Sequence, residues 1–191
     1  MRPRGRDASL VLAALLASLV LGSAALLAQA TPETFAATAT VKRAGVSASA
    51  PFSVTITRYG TDAERDAVAA AVRAGGSAAV HRALVATKDA GFIQLGERRT
   101  AIKFAGQRPM PSGRLVTIVT AEPILFIGAG LPEAAPRAGY EVAVAMLEID
   151  GVKVSGELVP AAKLGVDPNG AFLIDDYGAT VVWLSGATPR H

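Results

Sequence analysis

Cysteine is absent from the chain, histidine occurs only at positions 81 and 191, and Trp183 is the only tryptophan. Without cysteine there is neither a disulfide nor a lipid-modified N-terminal Cys, so a protein working outside the cytoplasm has to be held together by its core alone. With His191 at the very end, a metal site built on His and Cys is almost excluded, and a Ser-His-Asp constellation would have to use His81. His81 stands beside Arg82 in a helical stretch, where a solvated residue is the simpler reading than a catalytic base. No G-x-S-x-G elbow occurs. Gly128-Ala129-Gly130-Leu131-Pro132 is half a phosphate loop, but Glu133 stands where the third Gly belongs, and Pro132 and Pro136 spoil a following helix. No cofactor is implied.

A clustered basic face is also missing. Arg2, Arg4 and Arg6 precede an apolar run from Ser9 to Leu27, and Ala28-Gln29-Ala30 offers the small residues that a signal peptidase inspects. Residues 1–30 therefore read as a signal peptide cleaved after Ala30, leaving 31–191 as a secreted or periplasmic domain. The alternative is an uncleaved anchor, since such a run is long enough to span a bilayer, and a membrane partner is expected only in that case. Removing Arg2, Arg4, Arg6 and Asp7 takes the 19 basic and 16 acidic residues to 16 and 15, a net charge of +1. That balance gives no reason to expect nucleic acid. Arg98 and Arg99, with Lys103 and Arg108, form the densest basic patch, which a solvated strand edge explains.

Period-two alternation dominates the rest. Phe35, Ala37, Ala39 and Val41 alternate with polar residues, as do Phe52, Val54 and Ile56, which predicts an opening hairpin joined by a loop near Gly45 to Ala50. The pattern then breaks. Thr61 with Glu64 three residues on makes a capping box, and Ala67, Val68, Ala71 and Val72 form one stripe opposite Asp62, Asp66 and Arg73. Gly75-Gly76 ends this helix, and Ser77 caps a second with Val80, Ala83 and Leu84 inward. Strand patterns return at Gly91 to Leu95, Thr100 to Ala105, Arg114 to Thr120 and Ile124 to Ile127. The last two are apolar on both faces, so the helices should cover a second face of the sheet or plug one end of it. Asp150-Gly151 joins strands Glu141 to Ile149 and Val152 to Leu158 as a hairpin. Pro160 to Gly165 reads as a break, Ala171 to Ile174 and Thr180 to Leu184 as further strands, and Ala187 to His191 as a frayed tail. The expected fold is α+β: a mostly antiparallel, curved or barrel-like sheet of about ten strands with a two-helix insertion after the first hairpin.

The segments RYGTDAER (58 to 65), GRLVTIVTAEPILFIGAG (113 to 130) and DDYGATVVWL (175 to 184) resemble those of an uncharacterised family of secreted bacterial proteins of this length. The resemblance spans most of the mature chain. It implies export and a single compact domain, with no activity to carry onto any residue.

Two functional readings stay open. The first is a non-catalytic exported binding or interaction protein for a small molecule or protein partner, using the mouth of the curved sheet or the surface around the helices. Its candidate contacts are Arg58, Tyr59, Asp62 and Arg65 at the strand-to-helix junction, with Tyr177, because polar groups converge where scaffold elements join. The second is a hydrolase using carboxylates alone, Asp175 or Asp176 with Glu122, in the manner of a glycosidase. A single Trp argues against a sugar cleft, and adjacent aspartates in an extended segment point to opposite faces. Asp167-Pro168-Asn169-Gly170 has a calcium-loop flavour, but lacks the third ligand before its Gly and a Glu at the twelfth position.

Overall fold

The computed structural model describes residues 31–43, 45–124, 137–151 and 153–190, and Thr31–His191 forms one compact unit. A first hairpin, β1 (Glu33–Arg43) and β2 (Val46–Ile56), is followed by helices α1 (Asp62–Ala74) and α2 (Ser77–Ala86). Then come β3 (Gly91–Leu95), β4 (Arg98–Met110), β5 (Gly113–Thr120), β6 (Val142–Asp150), β7 (Lys153–Val166), β8 (Phe172–Tyr177) and β9 (Val182–Arg190). Every pairing is antiparallel. Following the hydrogen bonds from β1 through β2, β3, β4, β5, β6, β7 and β9 leads back to β1, so eight strands close into a barrel. The ninth, β8, pairs with the second half of β7, from Ala162 to Val166. Closure removes the exposed edges that the eight barrel strands would present in an open sheet, and β8, paired among the described residues only with β7, keeps an outer edge.

Alternation decides which side chains fill the barrel. One buried cluster draws Phe35, Ala39 and Val41 from β1, Phe52, Val54 and Ile56 from β2, and inward residues from each of the other six barrel strands. The opposite face of the first hairpin carries hydroxyls, with Thr34 bonded to Thr55 at 3.2 Å and Thr40 to Ser49 at 3.0 Å. On this hairpin the inward face is apolar and the outward face polar, the inverse of a membrane-spanning strand pair. Among the described residues no helix is long and apolar enough to cross a membrane.

The strands that are apolar on both faces have their second face covered by the helices. In β5, Val116 and Ile118 face the barrel interior while Val119 joins an outer cluster with Val68 and Ala69 of α1, Val80 and Leu84 of α2, and Val144, Val159 and Phe172. The helices therefore lie outside the barrel rather than plugging its end. Phe104 is turned outward by a register shift between Ile102 and Phe104, and meets Phe172 edge-on at 4.9 Å between ring centres. Gly60 donates its N–H to the Ala105 carbonyl at 2.8 Å, and a Cβ there would overlap the Phe104 ring. A residue without a side chain is needed where the chain leaves β2 and starts toward α1.

Several boundaries differ from the sequence expectation. Nine strands stand among the described residues: Ile124 lies outside any strand, and the rest of the expected strand Ile124 to Ile127 falls outside the described residues. Of the expected loop from Gly45 to Ala50 only Gly45 is in the turn; Val46 to Ala50 belong to β2, whose pairing with β1 continues to Arg43↔Val46. Pro160 to Gly165 is no break but the middle of β7; Pro160 sits between the paired residues Val159 and Ala162, where the register shifts and no ladder N–H is required. The expected tail pairs with β1 as far as Thr34↔Arg190. In α1 the buried pair is Val68 and Ala69, while Ala67 is exposed, because the buried stripe centres between 68 and 69 and residue 67 lies about 150° from that centre around the helix axis. Gly76, not Ser77, occupies the N-cap of α2.

Candidate functional site

The turn between the helices and the far half of β7 enclose a groove of about 570 Å³. Sequence places both walls. Gly75 and Gly76 take φ of 78° and 99°, conformations open to glycine, so the chain reverses in two residues and brings the end of α1 beside the start of α2. That wall presents Val72, Arg73, Ser77 and Val80. The opposite wall comes from Glu141 and Val142 at the start of β6, Ala162, Lys163 and Leu164 of β7, and Asp175 of β8. The register shift between Lys163 and Leu164 sets β8 so that Lys163 pairs with Asp176 while Leu164 pairs with Ile174, leaving Asp175 as the extra residue of the bulge. The groove thus has an apolar floor and charges of both signs on its rim. Its size and character match a small-molecule site.

Beside it, Tyr140 donates its hydroxyl to Asp176 Oδ2 at 2.5 Å, and the Lys163 ammonium lies 4.8 Å above the Tyr140 ring centre. The Tyr140 hydrogen bond holds the Asp176 carboxyl below its usual range, and the same bond pushes the Tyr140 phenol up. Asp176 also accepts from the Tyr177 N–H at 2.8 Å. Asp176 is thereby an ionised acceptor that fixes the groove's edge. The carboxylates considered for hydrolysis are separated: Asp175 lines this groove, whereas Glu122 lines another cavity of about 320 Å³ with Arg98, Arg99 and Ile124. Among the described residues no three His, Cys, Asp or Glu side chains gather to hold a metal ion.

The five residues named from the sequence are placed elsewhere, and none lines either cavity. Arg58 grips Glu64 with two hydrogen bonds, at 2.8 and 2.9 Å, and donates to the carbonyls of Lys88 at 2.5 Å and Asp89 at 3.3 Å. Glu64 also accepts from the Thr61 N–H at 2.9 Å, completing the capping box. Arg58, and then the Thr61 amide, pull the Glu64 carboxyl down to about 2. Asp62 and Arg65 pair at 2.8 Å on the exposed first turn of α1, where Arg65 also holds Asp66 at 2.9 Å. Tyr177 ends β8 and is half exposed.

Tyr59 belongs to a network at one end of the barrel. Arg114 donates to Glu33 at 2.5 Å, to Gln107 at 2.6 Å and to the Tyr59 hydroxyl at 3.4 Å, and Tyr59 donates to Glu33 at 3.3 Å. Burial, followed by the Glu33 charge, pushes the Tyr59 phenol up to about 12. β1 and β5 lie four places apart in either direction around the eight-strand ring, so the Glu33–Arg114 pair spans the end of the barrel from one side to the other. Side chains that bridge this mouth, above an apolar filled interior, leave the groove by the helices as the better candidate.

Compared with protein-family models, curated proteins and solved structures, the chain has no match in any of the three. Function must therefore be argued from the groove. Sequence reasoning reached Asp175, in the hydrolase reading, but missed Arg73, Glu141 and Lys163, which lie far apart in the chain and meet it only where the helical turn packs beside β6 and β7 and the bulge in β8 sets Asp175. The one local signal was Gly75-Gly76, a pair that marks an exposed reversal.

Proposed function

We propose that this is an exported, non-catalytic binding protein that holds a small molecule in the groove between the helical turn and β7. The groove itself carries the reading: about 570 Å³, walls from separate elements, an apolar floor of Val72, Val80, Val142 and Leu164, and a few placed charges. Export rests on the basic, apolar and small-residue segments of positions 1–30. Cleavage after Ala30 would leave two residues ahead of β1 and all nine described strands in the mature chain. The resemblance to secreted bacterial proteins points the same way, and nothing in the +1 charge balance invites nucleic acid.

Native mass spectrometry of the exported protein is expected to show a retained small molecule, and N-terminal sequencing to begin at Thr31. Ser77→Trp, which projects a large ring into the groove from the first turn of α2, should abolish retention without moving the melting midpoint. Retention unaffected by Ser77→Trp would place the site elsewhere. A second reading, hydrolysis by carboxylates, draws on Asp175 and Glu141 sharing the groove. Turnover of a glycoside or ester panel, abolished by Asp175→Asn, would replace binding with catalysis.

A further inference from the structure

We infer that the groove's ligand is a charge-separated small molecule, a primary ammonium and a carboxylate joined by a short apolar body, as in an amino acid or short peptide. This rests on the groove being the binding site. Arg73 stands on the helical wall, and Glu141 and Asp175 stand on the strand wall. Among the described residues none of the three makes a side-chain hydrogen bond or ion pair. Elsewhere some charges meet at short range, Arg65 with Asp62 and Asp66, Lys103 with Asp89, Arg58 with Glu64, and others, such as Arg82, Glu97 and Arg108, have no such partner among the described residues; what sets the three apart is that they line one groove. Across the groove opposite charges face one another and do not meet.

The remaining charges at this edge are already engaged with each other. Lys163 lies over Tyr140, and Tyr140 is bonded to Asp176. Among the described residues a ligand is thus offered an unpaired guanidinium on one side and two unpaired carboxylates on the other, with the Lys163 ammonium held over Tyr140. The planar fork of Arg73 suits a carboxylate, which it can grip with two parallel hydrogen bonds. An ammonium has three donors to divide between Glu141 and Asp175. Val72, Val80, Val142, Ala162 and Leu164 give the intervening body an apolar surface. A simple anion attracted by Arg73 would be opposed by the two carboxylates, and a simple cation by Arg73, so each half of the charge pattern rejects a ligand carrying only one sign.

The test uses the mature exported protein and isothermal titration with leucine, leucyl-leucine, N-acetylleucine and leucinamide. Leucine or leucyl-leucine should bind, and each blocked compound should bind at least about tenfold more weakly. Arg73→Gln should erase the preference for leucine over leucinamide. The double variant Glu141→Gln, Asp175→Asn should erase the preference for leucine over N-acetylleucine. All three side chains are solvent-accessible, so unchanged melting midpoints are expected and separate binding from folding. A blocked compound that binds as tightly as leucine, or preferences untouched by the variants, would overturn the inference. A neutral or lipid-like molecule retained in native mass spectra and expelled by Ser77→Trp, with no zwitterion binding, would overturn it while leaving the groove standing as a site. Absence of any bound molecule, with no heat from any probe, would overturn both.

Discussion

Arg58 and Glu64 show how a residue that reads as a ligand contact can be spent inside the fold. The Thr61/Glu64 box was legible because its spacing is local, three residues within one helical turn. The use of Arg58 was not, since the carbonyls it binds belong to Lys88 and Asp89, some thirty residues on. Its two-pronged hold on Glu64 has a measurable pH signature. The Glu64 carboxyl lies near 2 in the folded protein against an ordinary value of 4.5, so its contribution is complete above pH 4.5 and is lost as pH falls through about 2. Glu64→Gln should cost about 1 kcal/mol at neutral pH, the scale of a lost helix cap. The difference from the unmodified protein should shrink between pH 4.5 and 2 in urea unfolding, and a pH-independent difference would show that the ion pair contributes nothing. Arg65→Ala, by contrast, removes only exposed pairs and should leave the unfolding midpoint nearly unchanged.

Elements were easier to foresee than their ends. The helical pair, the opening hairpin and the Asp150-Gly151 turn all follow from local periodicity and turn chemistry, and they stand where the sequence puts them. Errors gathered where a tertiary feature overrides a local rule. Pro160 reads as a breaker until a register shift in β7 excuses its missing N–H, and the segment after Ala187 reads as a tail until β1 supplies a partner. The expectation that strands apolar on both faces require cover was sound, and it makes the helices indispensable to the fold. Val68 is fully buried against the barrel's outer face. Val68→Asp should therefore cost several kcal/mol, on the order of 3–5, because a carboxylate would be left unpaired among Phe104, Val119 and their neighbours. Asp66→Ala, on the exposed side of the same helix, should cost under about 0.5 kcal/mol. Equal and small shifts of the melting midpoint would mean that α1 is held only loosely to the barrel.

At the scale of the whole molecule, closure was the least legible property, because no local turn signals the pairings that complete it: β1 with β9, and β7 with β9 across β8. The same closure sets β1 opposite β5 and so creates the bridge of Glu33, Tyr59, Gln107 and Arg114 across one mouth. That bridge connects strands on opposite sides of the ring, so it should report on the barrel as a unit rather than on one hairpin. Its titration supplies the test. The Tyr59 phenol is raised from 10.0 to about 12, which means that the folded state keeps a proton the unfolded chain has released. The associated stability is fully present below pH 10 and is lost as pH rises through about 12. Tyr59→Phe removes both the hydroxyl and its proton, so the unmodified protein should be the more stable below pH 10 by about 1 kcal/mol. The advantage should decline from pH 10 to 12 in urea unfolding, and an absorbance titration of the folded protein at 295 nm should lose its step near pH 12 in the Tyr59→Phe protein. If both proteins lose stability in parallel over that interval, the phenol does not take part in holding the barrel's end, and Glu33 with Arg114 alone spans it.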